Sequence, residues 1–301
     1  MEIFFQQLSN GLAIGGIYAL IALGYTMVYG VLRLINFAHG DLFTSGAFLG
    51  YTLLVTFGLS QSTGIVTGIL LAILLVMGMV AFLGYVLERT AYRPLRKSNR
   101  LNAVVSALGA SIVIQNSIML IYGPQELVFP VGIKPNVIVE LFGVNFPLMR
   151  FLLFAASVLL MLVLYFFINR TRMGTAIRAV AIDQDASRLM GIDVSQIITW
   201  MFMIGAALGG AAGVMVGVYY GQITFTMGWV YGLKAFTAAI LGGIGNIPGA
   251  MLGGIFLGVV ESMASAYISA GWKDAITFLV LILILIFRPT GLLGERVAEK
   301  I

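Results

Sequence analysis

Apolar positions along the chain come in long blocks separated by short polar segments. Residues 3–32, 42–87, 101–125, 151–169, 194–233 and 235–260 contain no Asp, Glu, Lys or Arg. A bilayer-crossing helix needs about 20 predominantly apolar residues. The blocks predict helices near 7–31, 39–57, 64–88, 101–122, 149–169, 196–220, 232–246, 249–268 and 274–288. The 42–87 block is long enough for two of them, with a turn at Gly58–Gly64. The piece near 232–246 is short, and Gly242, Gly243, Gly245 and Pro248 interrupt the chain around its end. Non-helical backbone at bilayer depth has to be buried in protein or line a cavity, so a broken or re-entrant segment is expected near 232–248. The fold class is therefore all-α: a polytopic integral membrane protein with eight or nine transmembrane segments. The first apolar block is not expected to be a signal peptide, because it lacks a basic leader and is too long.

Composition strengthens this reading. Apolar residues are 60% and charged residues 10% of the 301, against about 45–50% and about 25% in soluble domains. Too few polar side chains are present to coat a soluble enzyme. There is no Cys and a single His, which removes disulfides, thiol catalysis and clustered-His zinc sites. The net charge of +5 lies mostly between the apolar blocks, which points to membrane topology and not to nucleic acid. Segment 88–100 carries Arg89, Arg93, Arg96, Lys97 and Arg100 against Glu88 alone, and 170–195 carries Arg170, Arg172, Arg178 and Arg188. Two helices separate these basic segments, so both are expected on the cytoplasmic side. Counting back through three spans places the N-terminus outside. Two crossings within 232–268 place the C-terminus inside, which Arg288, Arg296 and Lys300 favour, and one crossing places it outside.

The 37 glycines are patterned. Gly205, Gly209, Gly213, Gly217 and Gly221 recur every fourth residue, as do Gly245, Gly249 and Gly253, and Gly254 with Gly258. Such ridges let helices meet backbone to backbone. The glycine-rich 241–249 stretch is no phosphate loop, since no Lys-Ser or Lys-Thr follows it and no strand precedes it.

Three places could carry function. The first is Arg33 to Asp41, which holds Asn36, His39 and Gly40. One His and one carboxylate are too few for a metal. Asn36 as a helix N-cap, or Asp41 in a first turn, is the plain reading, and the mouth of a pathway is the functional one. The second is the set of ionisable groups inside the apolar blocks, Lys234 and Glu261, with Lys273 and Asp274 at a helix start. Lys234 is expected to snorkel to the surface, and Glu261 needs a partner or a wet cavity. The third is 170–195, too polar to span the membrane. Asp183 or Asp185 can cap a short helix near 183–190 that Gly191 stops, with Ala186, Leu189 and Met190 as a small apolar face. That helix suits docking on a protein, the alternative being rest on the lipid surface.

The stretches 10–41, 88–96, 170–194, 234–262 and 287–294 together resemble the branched-chain amino acid ABC transporter permeases, specifically the H-type subunit of the Liv system. The resemblance implies a single permease domain over 1–301 in a bacterial inner membrane. It implies a second related permease subunit, two cytoplasmic ABC ATPase subunits and a periplasmic substrate-binding protein that delivers Leu, Ile or Val. It implies no cofactor and no catalysis by the chain itself. By position it makes 170–194 the ATPase-coupling loop, matching at Gly174, Arg178, Ala179, Ala186, Leu189 and Gly191, and the capped-helix reading adds Asp183 and Met190 to the coupling residues within 170–195. Asn36, His39, Gly40, Gly242, Gly243 and Gly245 are the candidate pathway residues. Other amino acids or small amides remain open as cargo. An ion-coupled carrier would need more midplane titratable groups than Glu261 offers, and a membrane enzyme would have to rely on Asn36, His39 and Asp41.

Overall fold

The computed structural model of the chain describes residues 2–96, 98–129, 138–141 and 144–294. Of the basic residues that bear on topology, Lys97 and the tail's Arg296 and Lys300 lie outside the described residues. Helices account for most of the described residues. They are α1 (Glu2–Leu32), α2 (His39–Tyr51), α3 (Leu59–Thr63), α4 (Ile65–Leu87), α5 (Arg100–Tyr122), α6 (Leu148–Arg170), α7 (Arg172–Ile182), α8 (Gln184–Leu189), α9 (Val194–Tyr220), α10 (Met227–Gly242), α11 (Ile247–Tyr267) and α12 (Lys273–Phe287). Wider π-helical turns extend α2 through Thr52–Thr56 and α4 through Glu88–Tyr92.

Seven of these helices, among the described residues, are long and apolar enough to cross a membrane: α1, α4 with its extension, α5, α6, α9, α11 and α12 with the turn before it. The two shorter ones, α2 with 13 residues and α10 with 16, fall below that length. The short segment expected near 232–246 thus begins earlier, at Met227, and ends earlier, at Gly242. Helix α7 and the single turn α3 are additions to the expected set.

Local chemistry explains the boundaries. Gly58, Gly64, Gly123, Gly221 and Gly243 all carry positive φ at helix ends, a conformation that costs any residue with a Cβ. Asp193 caps α9 by accepting from Ser195 N at 2.9 Å and Gln196 N at 3.1 Å. Asn246 caps α11 by accepting from Gly249 N at 2.9 Å, with a proline in the first turn where no amide donor is needed.

α1 and α9 run through the centre and are buried along most of their length. α11 and α10 pack on α1, and α4 and α2 pack on α9. Exchanging α1 with α9, α2 with α10 and α4 with α11 maps these contacts onto one another, so the bundle has the contact pattern of an internal repeat. The two short helices meet at its centre. A Cβ on Gly40 would collide with the carbonyl of Gly228, and one on Gly228 would collide with that of Gly40.

The glycine ridges serve as expected. Gly205 faces Gly24 of α1, Gly213 lies against the α2 backbone at Phe43, and Gly254 and Gly258 lie against α1 at Ala19 and Gly15. Two small antiparallel pairs complete the fold. β1 (Leu127–Val128) joins β4 (Gln222–Ile223), and β2 (Ile138–Leu141) joins β3 (Val144–Pro147). The first pair ties the end of α5 to the end of α9.

Candidate functional site

The 170–195 segment forms two helices, one more than expected. Thr171 caps α7 by accepting from Gly174 N at 3.0 Å. Gly174 sits where a Cβ would strike the Ile168 and Phe167 carbonyls at the end of α6. Arg178 reaches back and donates to the Ile168 carbonyl, closing that helix end where cations are favoured. Ala179 is half-buried on the inner side of α7, beside buried Ile177 and Val180.

Asp183, of the two aspartates considered, is the cap of α8. Its Oδ1 accepts from Asp185 N at 2.9 Å and Ala186 N at 3.0 Å. Asp185 instead accepts from Arg188 at 2.8 Å. Gly191, at φ 84°, stops the helix. Leu189 is 89% and Met190 82% exposed, with Ile182 equally bare at 82%. Leu189 and Met190 therefore project from the end of a short helix whose two ends are fixed, and Ile182 projects beside them from the end of α7.

That helix is anchored to the bundle. Gln184 Nε2 donates to the Val31 carbonyl near the end of α1 at 2.8 Å. The neighbouring 88–96 segment is tied in as well. Glu88 is fully buried, bridges Arg96 and accepts from Thr199 Oγ1 at 2.9 Å, while Arg96 also donates to Ser195 Oγ at 3.1 Å. A cleft of about 880 Å³ separates the two segments, bordered by Arg93, Arg96 and Arg188.

Asn36, His39 and Gly40 come together at the start of α2. Asn36 is not the cap; Ala38 occupies that position without a side-chain bond. Asn36 Oδ1 accepts from Tyr92 OH at 2.8 Å instead. Being 2% exposed, its amide needs that distant phenol more than the helix start needs a cap. Asp41 does lie in the first turn and accepts from Ser111 of α5. His39 fills a notch at Gly24 and Gly209, its ring edge-on to Tyr25 at 4.7 Å between centroids.

Gly242, Gly243 and Gly245 form a separate cluster at the far end of α10. With about 1.5 Å of rise per residue, some 20 Å of helix separates them from the Gly40–Gly228 contact. Residues after α12 hold this turn. Leu292 N donates to the Leu241 carbonyl at 2.8 Å, Leu293 N to that of Gly242 at 3.0 Å, and Asn246 Nδ2 to the Leu293 carbonyl at 2.9 Å. Gly245 faces Gly30 of α1 at 4.0 Å.

Lys234 does not snorkel. It is buried and pairs with Glu261 and with Asp274, each at 2.7 Å. Glu261 also accepts from Tyr18 OH at 2.8 Å and lies 3.6 Å from Lys273. An unpaired buried lysine would be far costlier than one with two carboxylates beside it. The cluster ties α1, α10, α11 and α12 together. Tyr18 and Glu88 carried no sequence signal beyond a lone tyrosine and a lone acid among arginines.

Comparison with known proteins agrees with this architecture. Residues 7–285 match the profile of the family described as the permease component of branched-chain amino acid transport systems. The chain is 42% identical to the high-affinity branched-chain amino acid transport permease LivH of Escherichia coli K12, over 99% of this chain and 98% of that one. It is 45% identical to BraD of Pseudomonas aeruginosa, with the same coverage. At 25% identity it matches a LivH-type permease of Methanocaldococcus jannaschii over 95% of this chain and 91% of the other. In fold it resembles an inward-facing metal-chelate type ABC transporter, with a TM-score of 0.50 at 15% identity, covering 95% of this chain and 88% of that one. The chain, a multi-helix membrane bundle with a capped, outward-facing helix pair and matched nearly end to end by these permeases, belongs to the permease-component family of branched-chain amino acid ABC transporters.

Proposed function

We propose that the chain is a non-catalytic permease subunit that imports leucine, isoleucine or valine. One permease domain spans 1–301. A second related permease completes the translocation unit, two cytoplasmic ATPases drive it, and a periplasmic binding protein loads it. The N-terminus is periplasmic. Segments 89–100 and 170–195 and the C-terminus are cytoplasmic.

The observation that carries this reading is the α7–α8 pair. Bare Leu189 and Met190 on a fixed helix fit helix-in-groove docking. A push on α8 reaches α1 through Gln184–Val31, α6 through Arg178 and α9 through the Asp193 cap. Gly174 and Ala179 give the pair its close packing, Gly191 gives it its stop, and exposed Ala186 adds to the apolar face. The route for an apolar amino acid runs past the two breaks, at Asn36, His39 and Gly40 and at Gly242, Gly243 and Gly245. Weak apolar contacts there let cargo leave.

The test is uptake of labelled leucine into vesicles carrying the chain with its co-purified partners. Uptake must need ATP and the ATPase subunits and must survive collapse of the ion gradients. Uptake driven by a gradient without ATPases refutes the reading.

A further inference from the structure

On the end of the bundle that carries the 88–96 and 170–195 segments, a groove of about 650 Å³ runs between α4 and α9. Its apolar part is formed by Gly78, Phe82 and Met203. A Cβ on Gly78 would meet nothing within 4 Å, so this glycine leaves an open slot. Tyr85 and Trp200 flank the middle, the position at which aromatic rings sit near a bilayer interface. Arg89 and Arg93 stand at the mouth.

These two arginines differ from their neighbours. Arg96 pairs with Glu88 and Arg188 with Asp185. Among the described residues, neither Arg89 nor Arg93 forms an ion pair. Arg89 only donates to Tyr85 OH at 2.7 Å and lies 5.8 Å from that ring's centre. Asp193 shares the mouth, but its Oδ1 is engaged in capping α9. The surrounding surface of α4 is exposed and apolar, with Met79, Phe82, Leu83 and Val86 facing outward. An occupant must therefore be anionic at one end and hydrocarbon at the other.

We propose that this groove binds an anionic phospholipid, its phosphate held by Arg89 and Arg93 and one acyl chain lying along Phe82 to Gly78. Basic grooves between membrane helices at the inner interface select such headgroups. The inference stands on the groove alone and is independent of the cargo assigned above.

The test uses the full chain in nanodiscs of mixed phosphatidylglycerol and phosphatidylcholine, extracted into detergent, with retained lipids counted by native mass spectrometry. The wild type is expected to retain phosphatidylglycerol. Arg89→Ala/Arg93→Ala should weaken that retention about tenfold and leave phosphatidylcholine unchanged. Gly78→Phe fills the slot without touching either arginine and should reduce retention of both lipids, with thermal stability checked in parallel. Equal retention in all three proteins means annular lipid only and overturns the proposal. Displacement by glycerol phosphate as readily as by phosphatidylglycerol overturns the acyl half. Loss of ATPase subunits from the double variant with lipid retained assigns the groove to a protein and overturns it altogether.

Discussion

The ammonium of Lys234 lies 2.7 Å from the carboxylate of Glu261, with both side chains almost wholly enclosed. Removing one member of such a pair leaves an uncompensated charge, at a cost of about 3–5 kcal/mol. Lys234→Met is expected to lower the thermal midpoint in detergent sharply. Lys234→Met combined with Glu261→Gln should recover most of the loss, because both enclosed charges are then gone and the remaining Asp274 and Lys273 are partly exposed. A double variant no more stable than the single one would show that the pair is not the source of the effect.

The bundle has two ends, and the basic segments share one of them. Ser98→Cys should react with an impermeant thiol reagent only from the cytoplasmic side, and Ser62→Cys, on α3 at the other end, only from the periplasmic side. The chain has no native cysteine to confuse the readout. Labelling of Ser98→Cys in intact cells would reverse the orientation.

Leu189→Asp would place a charge where an apolar knob meets its groove. Docking is expected to weaken by about 2 kcal/mol or more, over tenfold. The variant should reach the membrane, because Leu189 touches little of its own chain. ATPase co-purification and ATP-driven uptake should fall together. Retention of both would move the coupling contact to the 88–96 segment.

The two glycines of the 243–246 turn should respond differently. Both hold positive φ, 104° and 95°, so alanine brings about 1–2 kcal/mol of backbone strain at either position. At Gly243 the new Cβ also meets Gly294 N at 2.5 Å, whereas at Gly245 the nearest atom is 4.0 Å away. Gly243→Ala should therefore lose more thermal stability and more uptake than Gly245→Ala. The reverse order, measured in the same detergent, would mean that the tail contact carries no weight.

Long uncharged runs made most of the spans legible, since nothing but a helix satisfies the backbone across a bilayer. Glycine ridges foretold the close contacts, because absent side chains are visible in a sequence. What stayed hidden was long-range pairing. Lys234 looked like a boundary marker because its partners, Glu261 and Asp274, lie far along the chain, and the start of α10 was misplaced with it. Asn36 looked like a cap because Tyr92 is far away in sequence. α7 was hidden by its arginines, although Gly174, Ile177 and Val180 recur at helical spacing with Thr171 ahead of them.

The contacts of Leu292 and Leu293 with the last carbonyls of α10 also set an order of assembly. Those two residues follow α12, so they leave the ribosome after α10, α11 and α12 have all been made. Until they emerge, the carbonyls of Leu241 and Gly242 lack these donors at the edge of the membrane. The break between α10 and α11 is therefore locked only after α12 has been made. A chain released early, just after α12, would insert its spans but leave that turn unlatched, and quality-control proteases would meet it in that state.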